Sequence, residues 1–248
     1  MNEQFSRTAL LLGEDAVARL GRCHVAVFGL GGVGGYAVEA LARSGVGSLT
    51  LVDHDRISRS NLNRQLLALE STLGQQKTEA AARRIREINP DCRLTLRSCF
   101  FLPENEAEFD FSAYDYVVDA IDTVAGKLAL VRCAQAVGTP ILCALGTGNK
   151  LDPSLLRVGD IHETAVCPLA RVMRKECRKR GIRRLKVVYS IEEPRRVDLE
   201  LEAQALTEAH NEGSTRRDIP GSTAFVPAAA GLLIASVVVR DLLAPLSF

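Results

Sequence analysis

The sequence predicts an α/β fold: a Rossmann-like, doubly wound parallel sheet followed by a C-terminal extension of strand, loop and helix. Short apolar runs alternate with amphipathic stretches of helical length, which is the pattern of parallel strands joined by crossover helices. A glycine-rich turn also joins the first apolar run to the first of these helices. A chain of 248 residues, 47% of them hydrophobic, is long enough to bury the core of one such domain.

The predicted strands fall on the short apolar runs, and the helices fall on the stretches between them. The first helix is predicted at 33–44, where apolar residues recur along one face and Gly45 provides a stop. Further helices are predicted at 76–88 and at 127–137, the latter ending at Gly138. The predicted strands are residues 24–28, 48–52, 93–96, 116–120 and 140–144.

Beyond residue 150 the sequence is more charged and less regular. Residues 160–181 indicate a loop and then a charged helix, and residues 185–190 indicate a strand. Residues 192–221 are polar and lack periodicity, so we expect a mobile loop there. The apolar run at 224–239 is slightly shorter than the ~20 residues that cross a bilayer. It therefore predicts a buried or interface helix in preference to a membrane span.

The composition argues against several classes of protein. The 31 Lys and Arg nearly balance the 30 Asp and Glu, so a nucleic acid or membrane partner would have to meet a local patch. The seven cysteines include no C-x-x-C pair, which argues against a disulfide framework and a four-thiolate zinc site. Residues 1–12 lack the features of a signal peptide, and we expect a cytoplasmic protein without a membrane partner.

The glycine-rich turn at residues 29–34 indicates a nucleotide site. Gly29 allows the tight turn, Gly31 lets the backbone approach a phosphate, and Gly34 lets helix and sheet pack closely. Asp53 ends the second strand, where a carboxylate can accept hydrogen bonds from a ribose. These residues do not distinguish a dinucleotide from ATP, and a glycine turn that binds no ligand is the simpler alternative.

Polar and cationic side chains beyond Asp53 favour a triphosphate. They are Asn61, Arg64, Gln65 and Lys77. Two cations at this place would neutralise a triphosphate and stabilise the charge that develops during nucleotidyl transfer. The alternative is that Arg64 and Lys77 are ordinary surface cations.

Two aspartates follow the strand predicted at 116–120. Asp119 and Asp122 fall where the sheet edge opens toward the nucleotide. Oxygen ligands beside phosphates are those that Mg²⁺ prefers, and Asp122, the farther out, is the candidate magnesium ligand. Asp119 could equally cap the next helix.

Together, these motifs resemble those of the ubiquitin-activating-like adenylyltransferases. The matching segments are residues 29–34, 53–55, 60–65, 74–77, 88–90 and 119–122. Within that superfamily the rest of the chain resembles the tRNA threonylcarbamoyladenosine dehydratases, with matches at 5–7, 149–153, 159–161, 168–170 and 224–227. One departure is Cys167, since these relatives usually carry Asp before the Pro. It is either a neutral replacement or a thiol with its own reactivity.

The resemblance implies ATP at the carboxyl ends of the strands, and Mg²⁺ held by Asp122. Arg7 matches an arginine that reaches across a dimer into the neighbouring ATP site, which implies a homodimer. The implied catalytic residues are Asp122, Arg64, Lys77 and Arg7. The implied nucleotide-binding residues are Gly29, Gly31, Gly32, Gly34, Asp53, Asp55, Asn61, Arg64, Gln65 and Lys77. We expect one domain over residues 1–248, with a nucleotide-binding core at about 20–150 and a substrate and dimer region at about 151–248.

The reaction that the resemblance implies is an ATP-dependent dehydration of N6-threonylcarbamoyladenosine in tRNA. It would pass through an acyl adenylate that cyclises. One alternative is adenylylation of the C-terminal carboxylate of a small ubiquitin-like or sulfur-carrier protein. Another is a redox or binding module that uses the glycine turn for a dinucleotide. A sulfur-transfer protein is a further candidate partner.

A dense basic segment at residues 171–186 is the candidate tRNA-binding surface. It holds nine Lys and Arg, opposed only by Glu176. Such a density of cations neutralises several phosphates and makes binding salt-dependent, although a solvated helix face is the alternative. The residues that we predict to contact tRNA are Arg174, Lys175, Arg178, Lys179 and Arg183.

Overall fold

The computed structural model of the chain describes residues 3–211 and 219–244. Its strands are β1 (His24–Phe28), β2 (Ser48–Val52), β3 (Arg93–Arg97), β4 (Tyr116–Asp119), β5 (Ile141–Ala144), β6 (Leu156–Asp160) and β7 (Lys186–Ser190). They form one sheet in the order β3-β2-β1-β4-β5-β7-β6, parallel except for β6, which is antiparallel to β7. The predicted doubly wound parallel sheet is confirmed, and each strand predicted before residue 150 ends within one residue of its prediction.

Helices join the strands. Those of the described residues are α1 (Ser6–Leu12), α2 (Glu14–Leu20), α3 (Gly34–Arg43), α4 (Lys77–Ile88), α5 (Val124–Val137), α6 (Pro168–Lys179), α7 (Leu199–Asn211) and α8 (Phe225–Leu243). The apolar cluster around α3 and α8 is distinct from the one around α5 and α6, and each contains strand residues. Residues 25–28 of β1 have no exposed surface, which is expected for a central strand with both faces covered.

The strand order fixes the place where a ligand can bind. The sheet continues through β2 and β3 on one side of β1 and through β4 and β5 on the other, so the order reverses between β1 and β4. In open parallel sheets, ligands bind outside the carboxyl ends of the strands at such a switch point. The glycine turn follows β1, and Asp119 ends β4, so both lie at this crevice.

The apolar helix α8 crosses α3 at close range. A Cβ on Gly231 would lie 2.3 Å from the carbonyl oxygen of Val33 and 2.8 Å from Cβ of Tyr36, so this crossing requires glycine. Residues such as Ile234 and Val238 of α8 are fully buried, which confirms the predicted buried helix. By length and composition alone, α8 could also cross a membrane, but 56% of its most apolar window is buried inside the protein.

The structure differs from the sequence prediction at two elements after residue 150. The antiparallel edge strand β6 was not predicted, because most of its residues are at least partly exposed and its apolar alternation is weak. The expectation of a mobile loop over 192–221 is wrong for 199–211, which form α7. Glu, Leu, Ala and Gln have high helix propensities, which favour α7. Leu199 and Leu201 are exposed, however, so α7 has no apolar stripe from which a helix could be predicted. Residues 212–218 of that stretch lie outside the described residues.

Candidate functional site

The glycine turn is held by contacts that admit no side chain. Gly29 has a φ of 89°, and a Cβ there would lie 2.6 Å from the carbonyl oxygen of Ala120. A Cβ on Gly34 would lie 1.8 Å from the carbonyl oxygen of Gly29. Both positions therefore require glycine, as the sequence motif predicted. The contact with Ala120 also seats the turn directly against the segment that follows β4.

Gly31 and Gly32, between these two positions, leave the backbone without a side chain on the side that faces residues 64 and 65. A Cβ on Gly31 would meet only Nε2 of Gln65, at 3.9 Å. A Cβ on Gly32 would lie 3.1 Å from Cβ of Pro227 and 3.6 Å from Cγ of Arg64. The Oε1 atom of Gln65 is buried and has no hydrogen-bond partner among the described residues. Gly31 thus faces the amide group of Gln65 on its nitrogen side.

Asp53 organises the ribose side of the crevice. Its Oδ2 accepts a hydrogen bond from the backbone N–H of Leu30 at 2.6 Å, and its Oδ1 accepts one from the N–H of Asp55 at 2.8 Å. The carboxylate therefore ties the end of β2 to the glycine turn. Asp53 is 8% exposed. Its remaining lone pairs are able to accept hydrogen bonds from hydroxyl groups.

Lys77 lies in this acidic environment. It begins α4, is 4% exposed, and places Nζ 2.5 Å from Oδ2 of Asp55 and 3.9 Å from Oδ1 of Asp53. The view of Lys77 as an ordinary surface cation is wrong, because surface cations are not buried. His54 lies 3.1 Å from the other oxygen of Asp55, so the segment 53–55 concentrates charge at one point.

Asn61 and Arg64 are positioned by the short turn between β2 and α4. Asn61 is 9% exposed, and its Oδ1 accepts a hydrogen bond from the N–H of Ser58 at 3.3 Å. Arg64 is half-buried and donates to the carbonyl of Ser60 at 2.8 Å and to the side chain of Asn63 at 2.9 Å. These bonds orient the arginine beside Gly32. The structure thus brings Arg64 and Gln65 to the glycine turn, and Asn61 lies in the preceding turn.

Asp119 has a partner that the sequence analysis missed. Nζ of Lys127 lies 3.0 and 3.1 Å from the two carboxylate oxygens, and both side chains are fully buried. Asp119 also accepts from the N–H of Ile121 at 3.2 Å, whereas α5 begins after Thr123, so Asp119 does not cap that helix. The sequence signal for this ion pair was Lys127, a lysine among otherwise apolar residues in the first part of α5.

Asp122 is exposed and lies in the segment between β4 and α5. It follows Ala120, whose carbonyl contacts Gly29 and whose N–H donates to the carbonyl of Phe28 at 2.8 Å. Asp122 and Asp53 therefore follow strands that lie on opposite sides of β1. An exposed carboxylate here is accessible to a hydrated cation.

The chain that forms this crevice is similar in sequence to known proteins. The ThiF family matches the chain over residues 5–245. The chain belongs to the ThiF family. A curated relative, the tRNA threonylcarbamoyladenosine dehydratase of Bacillus subtilis (strain 168), is 40% identical over 247 residues, covering 98% of this chain and 96% of the relative. The dehydratase of the same name from Escherichia coli (strain K12) is 42% identical over 173 residues, covering 70% of this chain and 65% of the relative.

Solved structures in the ThiF family agree with the fold. The chain is similar to the crystal structure of the E. coli tRNA N6-threonylcarbamoyladenosine dehydratase, TcdA, in complex with ATP. The TM-score is 0.85 at 32% sequence identity, and the match covers 98% of this chain and 95% of that chain. The similarity therefore extends beyond the glycine turn to the region after residue 150.

Arg7 lies at the opposite end of the sheet from the crevice of its own chain. Phe5 packs against Gly45, just before β2 begins, while the glycine turn lies past the end of the parallel strand β1. A five-residue strand separates these edges by roughly 16 Å. Arg7 is exposed on α1 and so does not complete the ThiF-family site of its own subunit.

The basic segment starts beside the crevice and leads away from it. Cys167, just before α6, packs on Gly146 after β5, and the helix then runs for roughly 18 Å toward the other edge of the sheet. Lys175, Arg178 and Arg183 are exposed, as predicted for a phosphate-binding surface.

Two of the predicted tRNA contacts have partners within the chain. Arg174 is half-buried and donates to the carbonyl and hydroxyl oxygens of Thr164 at 2.6 and 2.5 Å. Lys179 lies 3.0 Å from Glu176, which also pairs with Arg180. Arg174 therefore stabilises the loop before α6, and Glu176 partly neutralises the charge of Lys179.

Burial suppresses the reactivity of two cysteines of this ThiF-family chain, Cys133 and Cys143. Burial, with a contribution from Glu106, raises the pKa of Cys133 to about 11. Cys143 is fully buried, and burial holds its pKa well above the ordinary value. Such thiols are protonated and weakly nucleophilic at neutral pH. Cys167 is 1% exposed against Gly146, which favours the neutral replacement over a reactive thiol.

Proposed function

We propose that this chain catalyses the ATP-dependent dehydration of N6-threonylcarbamoyladenosine in tRNA. The observation that supports it most is the 40% identity to the Bacillus subtilis dehydratase of that name across nearly the full length of both chains. The crevice adds independent support, because it offers the nucleotide site that carboxylate activation by ATP needs.

The side chains at the crevice fit ATP. The backbone of Gly31 is open to a phosphate, and Nε2 of Gln65, the atom that a Cβ on Gly31 would meet, is able to donate a hydrogen bond to it. Asp53 would accept from the ribose hydroxyls, and Arg64 would face the phosphates across Gly32. Asp55 holds Lys77 at this place, so that its ammonium would add positive charge beside the nucleotide.

The reaction would begin with attack of the threonylcarbamoyl carboxylate on the α-phosphorus of ATP, which releases pyrophosphate. The resulting acyl adenylate has a good leaving group. The carbamoyl part of the same modification then attacks the activated carbonyl, closes a ring and releases AMP. One water is lost overall, its oxygen leaving on AMP. Because both reacting groups belong to one molecule, the enzyme would mainly position them and stabilise charge.

Asp122 would hold Mg²⁺, which when bound would neutralise charge on the phosphates. The exposed carboxylate at the crevice supports this role. Without this carboxylate, ATP would lose its cation at the reacting phosphates, and we therefore place Asp122 among the catalytic residues with Arg64 and Lys77.

A homodimer would bring Arg7 to a nucleotide. Arg7 lies far from the crevice of its own chain, so any contact with ATP would have to be made in a partner subunit. Leu10 and Leu11 on the same helix are 89% and 82% exposed. Exposed leucines beside Arg7 are expected of a helix that another subunit covers.

The remaining expectations concern organisation and partners. The tRNA would follow the exposed cations of α6, with Lys175, Arg178 and Arg183 as the strongest contacts. The chain would act in the cytoplasm as one domain, with nucleotide binding at about 20–150 and substrate and dimer contacts at about 151–248. A sulfur-transfer protein would be a separate docking partner.

The direct test is mass spectrometry of nucleosides from modified tRNA incubated with the protein, Mg²⁺ and ATP under mild conditions. Loss of one water from threonylcarbamoyladenosine that depends on ATP is the expected result. An unchanged nucleoside, from authentic tRNA and a protein that binds ATP, contradicts the proposal. That outcome would favour adenylylation of the C-terminal carboxylate of a small protein.

A further inference from the structure

A small cavity with a volume of about 210 Å³ lies between the loop after β5 and two later segments of the chain. We call it the Asn149 cavity. Its lining includes Asn149, Arg195, Arg196, Val197, Ser222 and Thr223. None of these residues belongs to the nucleotide-binding set described above.

Backbone hydrogen bonds build the cavity around Asn149. Its N–H donates to the carbonyl of Gly221 at 2.7 Å, and its carbonyl accepts from the N–H of Arg195 at 2.8 Å. The two later segments are therefore held on either side of the same residue. Gly221 packs close, since a Cβ there would lie 3.3 Å from Oδ1 of Asn149.

The cavity is joined to the nucleotide crevice. The side chain of Asn63 donates to the carbonyl of Ser222 at 3.0 Å, and Asn63 also binds Arg64 at 2.9 Å. Two hydrogen bonds thus connect the wall of the cavity to the arginine beside Gly32. The loop of Asn149 also follows β5, whose neighbour in the sheet is β4, the strand that leads to Asp122. The wall of this cavity is therefore hydrogen-bonded to the site proposed for ATP.

The side chain of Asn149 indicates that the cavity binds a ligand. Its Oδ1 is buried and has no hydrogen-bond partner among the described residues. A buried amide oxygen without a partner is costly, so such atoms are usually satisfied by a ligand or a water. Asn149 also has a φ of 59°, in the left-handed region, which Asn tolerates better than most residues. The residue type therefore suits the backbone as well as an accepting role.

The charges at the cavity define the rest of the ligand. Arg195 and Arg196 are exposed and supply guanidinium donors. The nearby carboxylate of Glu192 accepts from the backbone N–H groups of Leu151 and Asp152 at 3.0 to 3.1 Å, so its charge is engaged with the backbone. The complementary ligand has an N–H donor for Asn149 and an anionic group for an arginine.

From these contacts we infer that the Asn149 cavity binds the threonylcarbamoyl group, an inference that rests on the proposed function. This group has a carboxylate that would pair with Arg195 or Arg196 and a ureido N–H that would donate to Asn149. The volume of about 210 Å³ is below the ~300–1,000 Å³ of pockets that enclose a whole drug-sized ligand. It suits the appended amino acid and leaves the base outside.

The test compares Asn149→Gly and Arg196→Ala with the wild type and with Arg22→Ala. Glycine keeps the left-handed backbone and removes the amide, and Arg22 is an exposed arginine at the other end of β1. We expect KM for modified tRNA to rise about tenfold or more in both cavity variants, the loss typical of a removed charged or buried hydrogen bond. ATP affinity, binding of unmodified tRNA, and the Arg22→Ala enzyme stay at wild-type values.

Unchanged KM in both cavity variants overturns the inference and leaves the dehydratase function intact. An equal loss of affinity for unmodified tRNA also overturns it, because the residues would then contact the RNA backbone. A wild-type enzyme that leaves the modified nucleoside unchanged overturns the proposed function, and the inference with it. If Asn149→Gly does not fold, as judged by thermal unfolding, the double variant Arg195→Ala/Arg196→Ala decides, because it removes both arginines that could pair with the carboxylate.

Discussion

Lys127 and Asp119 form an ion pair in which neither side chain has any exposed surface. Nζ of Lys127 also donates to the carbonyl of Ala144 at 2.7 Å. These three residues belong to α5, β4 and β5, so one ammonium group joins three elements beneath the segment that carries Asp122. The pair supports the crevice from inside the protein.

Lys127→Met should destabilise the fold by about 3–5 kcal/mol, because it leaves the carboxylate of Asp119 buried without its counter-ion. Urea unfolding measures the change. Adding Asp119→Leu should recover part of the loss, since the unpaired charge is then removed as well. If Lys127→Met alone were as stable as the wild type, the pair would not be buried in solution.

The paired variants Gly34→Ala and Gly35→Ala test the glycine turn. A methyl at Gly34 would lie 1.8 Å from the carbonyl oxygen of Gly29, so we expect this variant to lose ATP binding. A methyl at Gly35 would meet nothing closer than 3.7 Å and would replace glycine inside α3. That variant should bind ATP and gain up to about 1 kcal/mol of stability. Isothermal titration calorimetry with ATP compares them, and equal affinities would contradict the geometry.

Mixing subunits tests the dimer and the roles of Arg7 and Asp122 together. Arg7→Ala and Asp122→Ala enzymes should each be inactive in forming AMP. If Arg7 acts in the partner subunit, half of all dimers after random exchange are mixed and each of these carries one intact site, so about a quarter of the wild-type activity returns. Failure of the mixture to recover activity, with exchange verified by mass spectrometry, argues against shared sites.

The exposed cations of α6 and the loop after it should bind tRNA through phosphates. Lys175→Ala, Arg178→Ala and Arg183→Ala should each weaken binding and lower the slope of log affinity against log salt by about one. Arg86→Ala, an exposed cation on α4, is the control. Filter binding at several salt concentrations checks this, and slopes equal to the wild type would leave α6 as a solvated helix face.

Native thiols should react slowly with iodoacetamide. Because burial beside Glu106 raises the pKa of Cys133 to about 11, its thiolate is scarce at pH 8 and increases until the pH passes that value. Its alkylation rate should therefore rise about tenfold per pH unit below 11 while the fold persists. Peptide mass spectrometry follows the rate, and dehydration activity should survive treatment at pH 8. Rapid loss of activity would indicate a catalytic thiol.

The sequence was sufficient for the parts of the fold that local pattern controls. Strand β1, the glycine turn and the start of α3 follow from apolar runs and steric needs within a few residues. The Lys127–Asp119 pair could not be predicted from the sequence, because it depends on α5 packing beneath β4, which no local pattern encodes. Strand β6 was hidden because its pairing with β7 determines its conformation. Asn149 was singled out only as part of a motif, since its unpartnered oxygen exists only after folding.

The crossing of α8 over the glycine turn has a consequence for synthesis of the protein. Pro227 touches Gly32, and Gly231 fits against Val33, so one wall of the phosphate loop comes from the opposite end of the sequence. On the ribosome, this wall of the phosphate loop can form only after α8 has been synthesised, because Pro227 and Gly231 both belong to that helix.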